Sequence, residues 1–282
     1  MVSLTVPLRV SIYTAALFSL GIVGGLIVAP VVPKSDANIV GWVALSNLIV
    51  AAVLVWLIGA ARMRGSRLAL GLAGAWFVVS SATSALEAYF FGLLSFGIFA
   101  RLVASGLVVA VGLFAMVTTD ERLRGRSSVA DAGARWTPGR WLWRTAAVAA
   151  MYVVLYFAAG SIVILMPGLR QFYEARGLPS PIAVTAVQLF VRGPAFALVI
   201  AMLARLLGGS RAQSALAGAA VMALIGGVAP LIIPNPFFPD AIRWYHFVEV
   251  TSSNLVFGAI AGALMWPGRA GLGRPLRAQS AA

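Results

Sequence analysis

The sequence contains no cysteine, a single histidine and a single lysine. The absence of cysteine excludes disulfide bonds, thiolate catalysis and cysteine-ligated metal sites. Walker A, dinucleotide-binding and Gly-x-Ser-x-Gly sequences are also absent, so no motif indicates an ATP site, an NAD site or a hydrolase serine. We therefore expect no cofactor and no metal ion, although His246, Glu249 and Glu87 are potential ligands, because the nearby arginines would repel a cation.

Charged residues are scarce as well. They make up 10% of the 282 residues, whereas 61% are hydrophobic and the mean hydropathy is +0.96. A soluble domain has about a quarter of its residues charged. Apolar runs of about 20 residues, each long enough to cross a bilayer, recur along the whole chain. The sequence predicts an all-α, polytopic membrane protein that is surrounded by the lipid bilayer.

Eight apolar runs predict eight membrane spans, which we number in chain order. Their predicted bounds are 8–30, 39–60, 68–91, 96–117, 141–166, 182–206, 212–233 and 242–266. The first run is longer than the apolar core of a signal peptide and lacks a clean cleavage site, so we interpret it as span 1.

The basic residues are distributed unevenly between the predicted loops. With the N-terminus inside, fifteen of them lie in or beside inner segments and four beside outer segments. This bias is the usual topology signal of membrane proteins, and it predicts that both termini are cytoplasmic. We expect the cytoplasmic (inner) membrane of a bacterium. The net charge of +13 does not indicate a nucleic-acid partner, because the arginines separate apolar runs and form no basic domain.

The spans divide into two sets of four. Residues 1–117 form the first half, 118–140 a basic cytoplasmic connector, 141–266 the second half, and 267–282 a disordered tail. Gly65-Ser66-Arg67 recurs as Gly209-Ser210-Arg211, near the start of the third span of each half. This weak repeat predicts two halves related about an axis along the membrane normal. Chance matches are frequent in a chain so rich in glycine and alanine.

Several polar residues lie inside the predicted spans. An ionisable residue at a span centre costs about 2.5–3.5 kcal/mol, so it persists where it is paired, wet or functional. In span 8, His246, Glu249 and Ser253 share one helix face, with Asn254 at its margin. The candidate ligand-binding or proton-coupling residues are Glu87, Arg101, Arg192, His246, Glu249, Ser253 and Asn254.

The ionisable candidates lie at similar depths, in the outer half or near the midplane. Charge balance predicts the pairs Glu87–Arg101 and Glu249–Arg192. Pro194 lacks a backbone N–H, so we also expect a kink of the helix beside Arg192. The alternative to a site is that these residues are buried ion pairs that only fix the helix register.

Three functions stay open at this point. A transporter would bind a small anionic or zwitterionic solute with its arginines, with His246 as the titrating group. A membrane enzyme or lipid-handling protein would use Glu249 and His246 as acid and base on an amphiphile from the outer leaflet. A non-catalytic partner subunit would have all charges paired and no cavity. A water-lined central cavity favours the first function, and a lipid-facing opening beside Glu249 favours the second. The sequence does not indicate the oligomeric state.

Overall fold

The computed structural model describes residues 5–28, 39–123, 136–177, 179–234 and 238–268. Within these ranges the chain forms helices and no strands, and eight helices are long and apolar enough to cross a membrane. Their bounds are Val6–Val28, Ile39–Ala60, Gly65–Phe90, Phe96–Leu123, Pro138–Val163, Pro181–Leu207, Arg211–Leu231 and Asp240–Leu264. The prediction of an all-α, eight-span membrane protein is confirmed. Much of the predicted connector and nearly all of the predicted tail lie outside the described residues.

Capping residues set the span boundaries more sharply than hydropathy does. Span 5 begins three residues before its predicted start, because the Thr137 side chain accepts a hydrogen bond from the Arg140 N–H and Pro138 occupies the first turn. It ends at Val163, since the ring of Pro167 would clash with the Val163 carbonyl if the helix continued. Gly168 then adopts a positive φ of 75°. This turn starts a short helix, Leu169–Glu174, which we call the surface helix.

Three spans contain a π-helical segment in their middle. The segments are Phe77–Ala82 in span 3, Gln188–Arg192 in span 6 and Val221–Val228 in span 7. The second of these segments lies at the position where the sequence predicts a kink beside Arg192. Hydroxyl groups also bind the backbone at or beside two of these segments. Thr83 Oγ1 donates to the Val78 carbonyl at 2.7 Å, and Ser46 Oγ donates to the Ala229 carbonyl at 2.8 Å.

The spans pack around a core formed by spans 2, 3, 6 and 7. Span 1 lies against spans 2 and 4, and span 8 lies against spans 7 and 5. The closest approach is between spans 7 and 8, where a methyl group added to Gly258 would lie 2.3 Å from the Gly218 carbonyl oxygen. One added to Gly262 would lie 2.2 Å from the Ser214 carbonyl oxygen. Small residues thus let two backbones touch, as the Gly258-x-x-x-Gly262 spacing predicts.

The two ends of the bundle differ in their polar groups. At the connector end, Arg9 forms an ion pair with Asp120, which also accepts a hydrogen bond from Tyr13 at 3.1 Å. Arg144 donates to the Trp266 carbonyl at 2.9 Å. At the opposite end lies the surface helix, which packs on the ends of spans 5 and 8. We call this the surface-helix end, and it contains the residues that the sequence singles out.

Candidate functional site

An ion pair links span 3 to span 6 inside the bundle. Arg192 is buried and donates through Nη1 to Glu87, and also to Gln188 Oε1 at 3.2 Å. Its guanidinium carbon lies 5.5 Å from the ring centroids of both Tyr152 and Phe196. The side chain of Glu87 keeps 30% of its exposure, against 8% for that of Arg192. The positive charge of Arg192 is therefore matched by a carboxylate and enclosed by aromatic rings.

The two pairs predicted from the sequence, Glu87–Arg101 and Glu249–Arg192, are both wrong. Arg101 is exposed on span 4 and donates to the Ile27 carbonyl at 3.1 Å. Depth was estimated from the sequence, but the direction in which a residue points around its helix axis depends on packing. Span 4 turns Arg101 away from Glu87, and a long arginine side chain can reach a polar neighbour on the outer surface of the bundle.

A second polar set joins span 8 to the surface helix. His246 Nδ1 lies 2.7 Å from Glu249 Oε2, and His246 Nε2 lies 2.7 Å from the Tyr173 hydroxyl. The hydroxyl, the imidazole and the carboxylate form one continuous hydrogen-bonded chain, which we call the relay. Tyr173 was not among the predicted site residues. Its only signal was its place in the amphipathic segment after span 5, which lies directly above the His246 end of span 8.

Two protons of the relay have defined positions. Burial raises the pKa of the Tyr173 hydroxyl, and the carboxylates of Glu87 and Glu249 raise it further, so the hydroxyl keeps its proton. A carboxylate can only accept, so His246 Nδ1 carries a proton and donates it to Glu249 Oε2.

The ion pair and the relay occupy one neighbourhood. Tyr152 and Tyr173 each lie within electrostatic range of both Glu87 and Glu249. Aromatic rings cover the relay, since the Phe238 centroid lies 5.3 Å from that of His246 and the Tyr173 centroid lies 5.8 Å from it. Four of the seven candidate residues, Glu87, Arg192, His246 and Glu249, are thus close together.

The remaining span 8 candidates bind the backbone. Asn254 Nδ2 donates to the Met222 carbonyl at 3.1 Å, inside the π-helical segment of span 7. Ser253 Oγ lies 3.4 Å from the Val250 carbonyl of its own helix. This hydrogen bond joins span 8 to the π-helical segment of span 7. Ser253 also lines the feature described next.

A groove opens between spans 5 and 8 beside Glu249. Its volume is about 420 Å³, within the range of about 300–1,000 Å³ of small-molecule sites. Apolar side chains form most of its wall, and Ile162 and Val248 retain 64% and 65% of their exposure. Because both helices cross the membrane, these exposed apolar side chains face lipid. The groove is thus a lateral opening toward the bilayer, with Glu249 in its wall.

The arrangement can hold a polar group at the end of an apolar chain and can exchange a proton through the relay. Among the described residues, no three of histidine, cysteine, aspartate and glutamate are grouped as metal ligands would be.

Comparison with known proteins identifies no relative. No protein-family profile, no curated protein sequence and no solved structure matches this chain. The chain is an integral membrane protein by its eight spans.

Proposed function

We propose that the protein handles a lipid-like amphiphile, which it takes laterally from the bilayer into the groove between spans 5 and 8. The observation that carries this proposal is the opening of the groove toward lipid directly beside Glu249. A soluble solute would need an aqueous path, whereas a molecule with a hydrocarbon chain is already present at this opening.

The dimensions of the groove support a long chain. Its lining residues run from Leu155 on span 5 to Met166, three residues past the end of that span, and from Tyr245 to Val256 on span 8. The eleven residue steps along span 8, at about 1.5 Å each, give a length of about 17 Å. An apolar chain lying there replaces lipid contacts with protein contacts, while its polar end meets Glu249.

The relay places groups that can exchange a proton beside the polar end of the amphiphile. Glu249 and His246 can take up or release a proton next to the bound headgroup, and Tyr173 connects them to the surface helix. The function is therefore binding or acid–base conversion of an amphiphile. The surface helix covers the relay from above.

The alternative of a transporter for a small anionic or zwitterionic solute has less support. It depended on Arg101 and Arg192 as free positive charges. Arg192 is bound by Glu87 and Gln188, and Arg101 lies on the outer surface of span 4. The remaining alternative, a non-catalytic partner subunit, does not explain a groove beside a carboxylate.

We further propose that the protein lies in the cytoplasmic membrane of a bacterium with both termini in the cytoplasm, as the distribution of arginine suggests. The groove and the relay then belong to the outer leaflet. A reporter fused after Ala282 should be active on the cytoplasmic side, and a periplasmic signal from that fusion would contradict this orientation.

We also propose that the two four-span halves arose by duplication. Phe77 and Val221 begin the π-helical segments of spans 3 and 7, and they are separated by the same number of residues as Gly65 and Gly209. The neighbours are also equivalent, since span 1 packs on spans 2 and 4 as span 5 packs on spans 6 and 8.

The proposed function is tested by photolabelling in nanodiscs. A hexadecanol that carries a diazirine on its chain should label peptides of spans 5 and 8. Ala158→Phe fills the groove and should reduce this labelling several-fold, whereas Ala15→Phe, at an exposed alanine of span 1, should leave it unchanged. Labelling spread evenly over all spans, or unaffected by Ala158→Phe, would contradict the proposal.

A further inference from the structure

Glu249 is the only charged residue in the wall of the groove. One of its oxygens, Oε2, accepts from His246. The other, Oε1, points toward span 5, where its nearest approach is 3.9 Å from the position of a methyl group on Gly160. The carboxylate thus keeps one oxygen for a ligand on the side of the groove.

Among the described residues, His246 is the one side chain that binds the carboxylate of Glu249, and it does so at Oε2. Arg192, the buried arginine of span 6, is paired with Glu87. A carboxylate oxygen without a donor is costly at membrane depth, so the groove favours a ligand that brings a donor, and a positively charged donor binds a carboxylate most strongly.

The other polar groups in the groove wall are also suited to a ligand that donates hydrogen bonds. Ser252 Oγ donates its proton to the Val248 carbonyl at 2.7 Å, so toward a ligand its oxygen can only accept. Tyr245 adds an aromatic ring to the wall, and such rings attract cations. No arginine or lysine lines the groove to hold a phosphate.

We propose that the occupant of the groove is a long-chain amphiphile with an ammonium headgroup, whose N–H groups donate to Glu249 Oε1 and to Ser252. This inference rests on the proposed function, and it names the class of headgroup that the groove selects. A phosphate or carboxylate headgroup would bring a second negative charge against Glu249 and is disfavoured.

The test uses three diazirine probes with the same sixteen-carbon chain and different headgroups: an amine, an alcohol and a phosphate. Each competes against the bilayer lipid in nanodiscs of identical composition. With the wild-type chain we expect the amine to label the groove peptides about tenfold more than the alcohol, since charge-assisted hydrogen bonds differ from neutral ones by roughly that factor. The phosphate should label less than the alcohol.

Two variants of Glu249 test whether this residue causes the preference for the amine probe. Glu249→Gln keeps the shape of the side chain and should bring the ratio of amine to alcohol labelling close to one. Glu249→Asp keeps the charge and should retain part of the preference. Glu174→Gln is the matched control, because Glu174 is an exposed carboxylate on the surface helix, paired with Arg170. It should behave as wild type.

The outcomes separate the two proposals. If all three probes label the groove equally, or if Glu249→Gln keeps the preference for the amine, the ammonium inference is wrong while the groove remains an amphiphile site. Stronger labelling by the phosphate would indicate an ordinary phospholipid occupant and would also overturn it. If no probe labels the groove, the proposed function fails as well.

Discussion

The seam between spans 1 and 4 is closed, whereas the seam between spans 5 and 8 is open. In the closed seam, a methyl group added to Gly24 would lie 2.6 Å from Ser105 Oγ, and one added to Gly112 would lie 2.3 Å from Leu20. In the open seam, the nearest such atom to Gly160 is Glu249 Oε1 at 3.9 Å. The groove of about 420 Å³ occupies the space that this wider separation leaves between spans 5 and 8.

In the proposed duplication the two seams are equivalent. Ser105 and Glu249 are separated by the same number of residues as Gly65 and Gly209. The position that holds a serine packed on a glycine in one half therefore holds a carboxylate facing a glycine in the other half. A buried charge alone does not identify a site, since Arg9 and Asp120 also pair in the first half. The carboxylate acquires a potential function because its seam is open to lipid.

The largest expected effect concerns the ion pair behind the open seam. Arg192→Met leaves Glu87 without its partner and should lower the free energy of unfolding by about 3 kcal/mol, at the lower end for buried pairs because Glu87 is partly exposed. Steric trapping in bicelles measures this quantity. Arg101→Met is the matched control, and it should change stability by less than about 0.5 kcal/mol. Equal losses of unfolding free energy for the two variants would show that the Glu87–Arg192 ion pair does not stabilise the fold.

The spans could be predicted from the sequence, because hydropathy and length decide whether a helix crosses a bilayer. Counting residues predicts similar depths for the candidates, and the structure brings Glu87, Arg192, His246 and Glu249 close together. Their pairing did not, because the rotation of each span depends on packing and on π-helical turns such as Gln188–Arg192. Tyr173 was missed because it lies in the segment that connects spans 5 and 6. The volume of the groove depends on the separation of two helices, which no residue pattern in the sequence indicates.

The second prediction compares the seams directly through the same substitution. Gly24→Ala forces the added methyl group against Ser105, and overpacking of this kind should destabilise the protein by about 1–2 kcal/mol. Gly160→Ala meets only ordinary contact distances. Since alanine favours a helix over glycine by about 0.5–1 kcal/mol, it should be neutral or slightly stabilising. Thermal unfolding in identical nanodiscs compares the two. A greater loss for Gly160→Ala would mean that the open seam closes in the membrane.

The third prediction separates two neighbouring polar residues of span 8. Asn254→Leu removes the donor to the Met222 carbonyl and should cost about 1 kcal/mol of stability. Ser253→Ala, one residue away and in the groove wall, should change stability by less than about 0.5 kcal/mol. Neither change should alter probe labelling at the groove as Glu249→Gln does. A loss of labelling with Asn254→Leu at unchanged stability would indicate that Asn254 contacts the ligand and does not serve only as a donor to the backbone.

The smallest expected effect concerns the relay, which the closed seam lacks at its equivalent position. His246 is the only histidine, so ¹⁵N-labelled histidine reports on it without assignment. We expect a proton on Nδ1, because the carboxylate of Glu249 can only accept there. Tyr173→Phe should change the Nε2 signal and cost about 0.5 kcal/mol, the lower end for one hydrogen bond. Tyr245→Phe, which lies in the groove wall, should change neither.

The same spectra test the pH dependence of this contact. Burial raises the pKa of Tyr173, so the folded protein holds the hydroxyl proton more tightly than the unfolded chain, whose tyrosines ionise near pH 10. The contribution of Tyr173 to stability is therefore complete below pH 10 and decreases as the pH rises above it. The Nε2 signal of the wild type should accordingly be constant through the titration range of an exposed tyrosine. A change centred near pH 10 would show that the surface helix does not bury Tyr173 against span 8, and the relay would then end at His246.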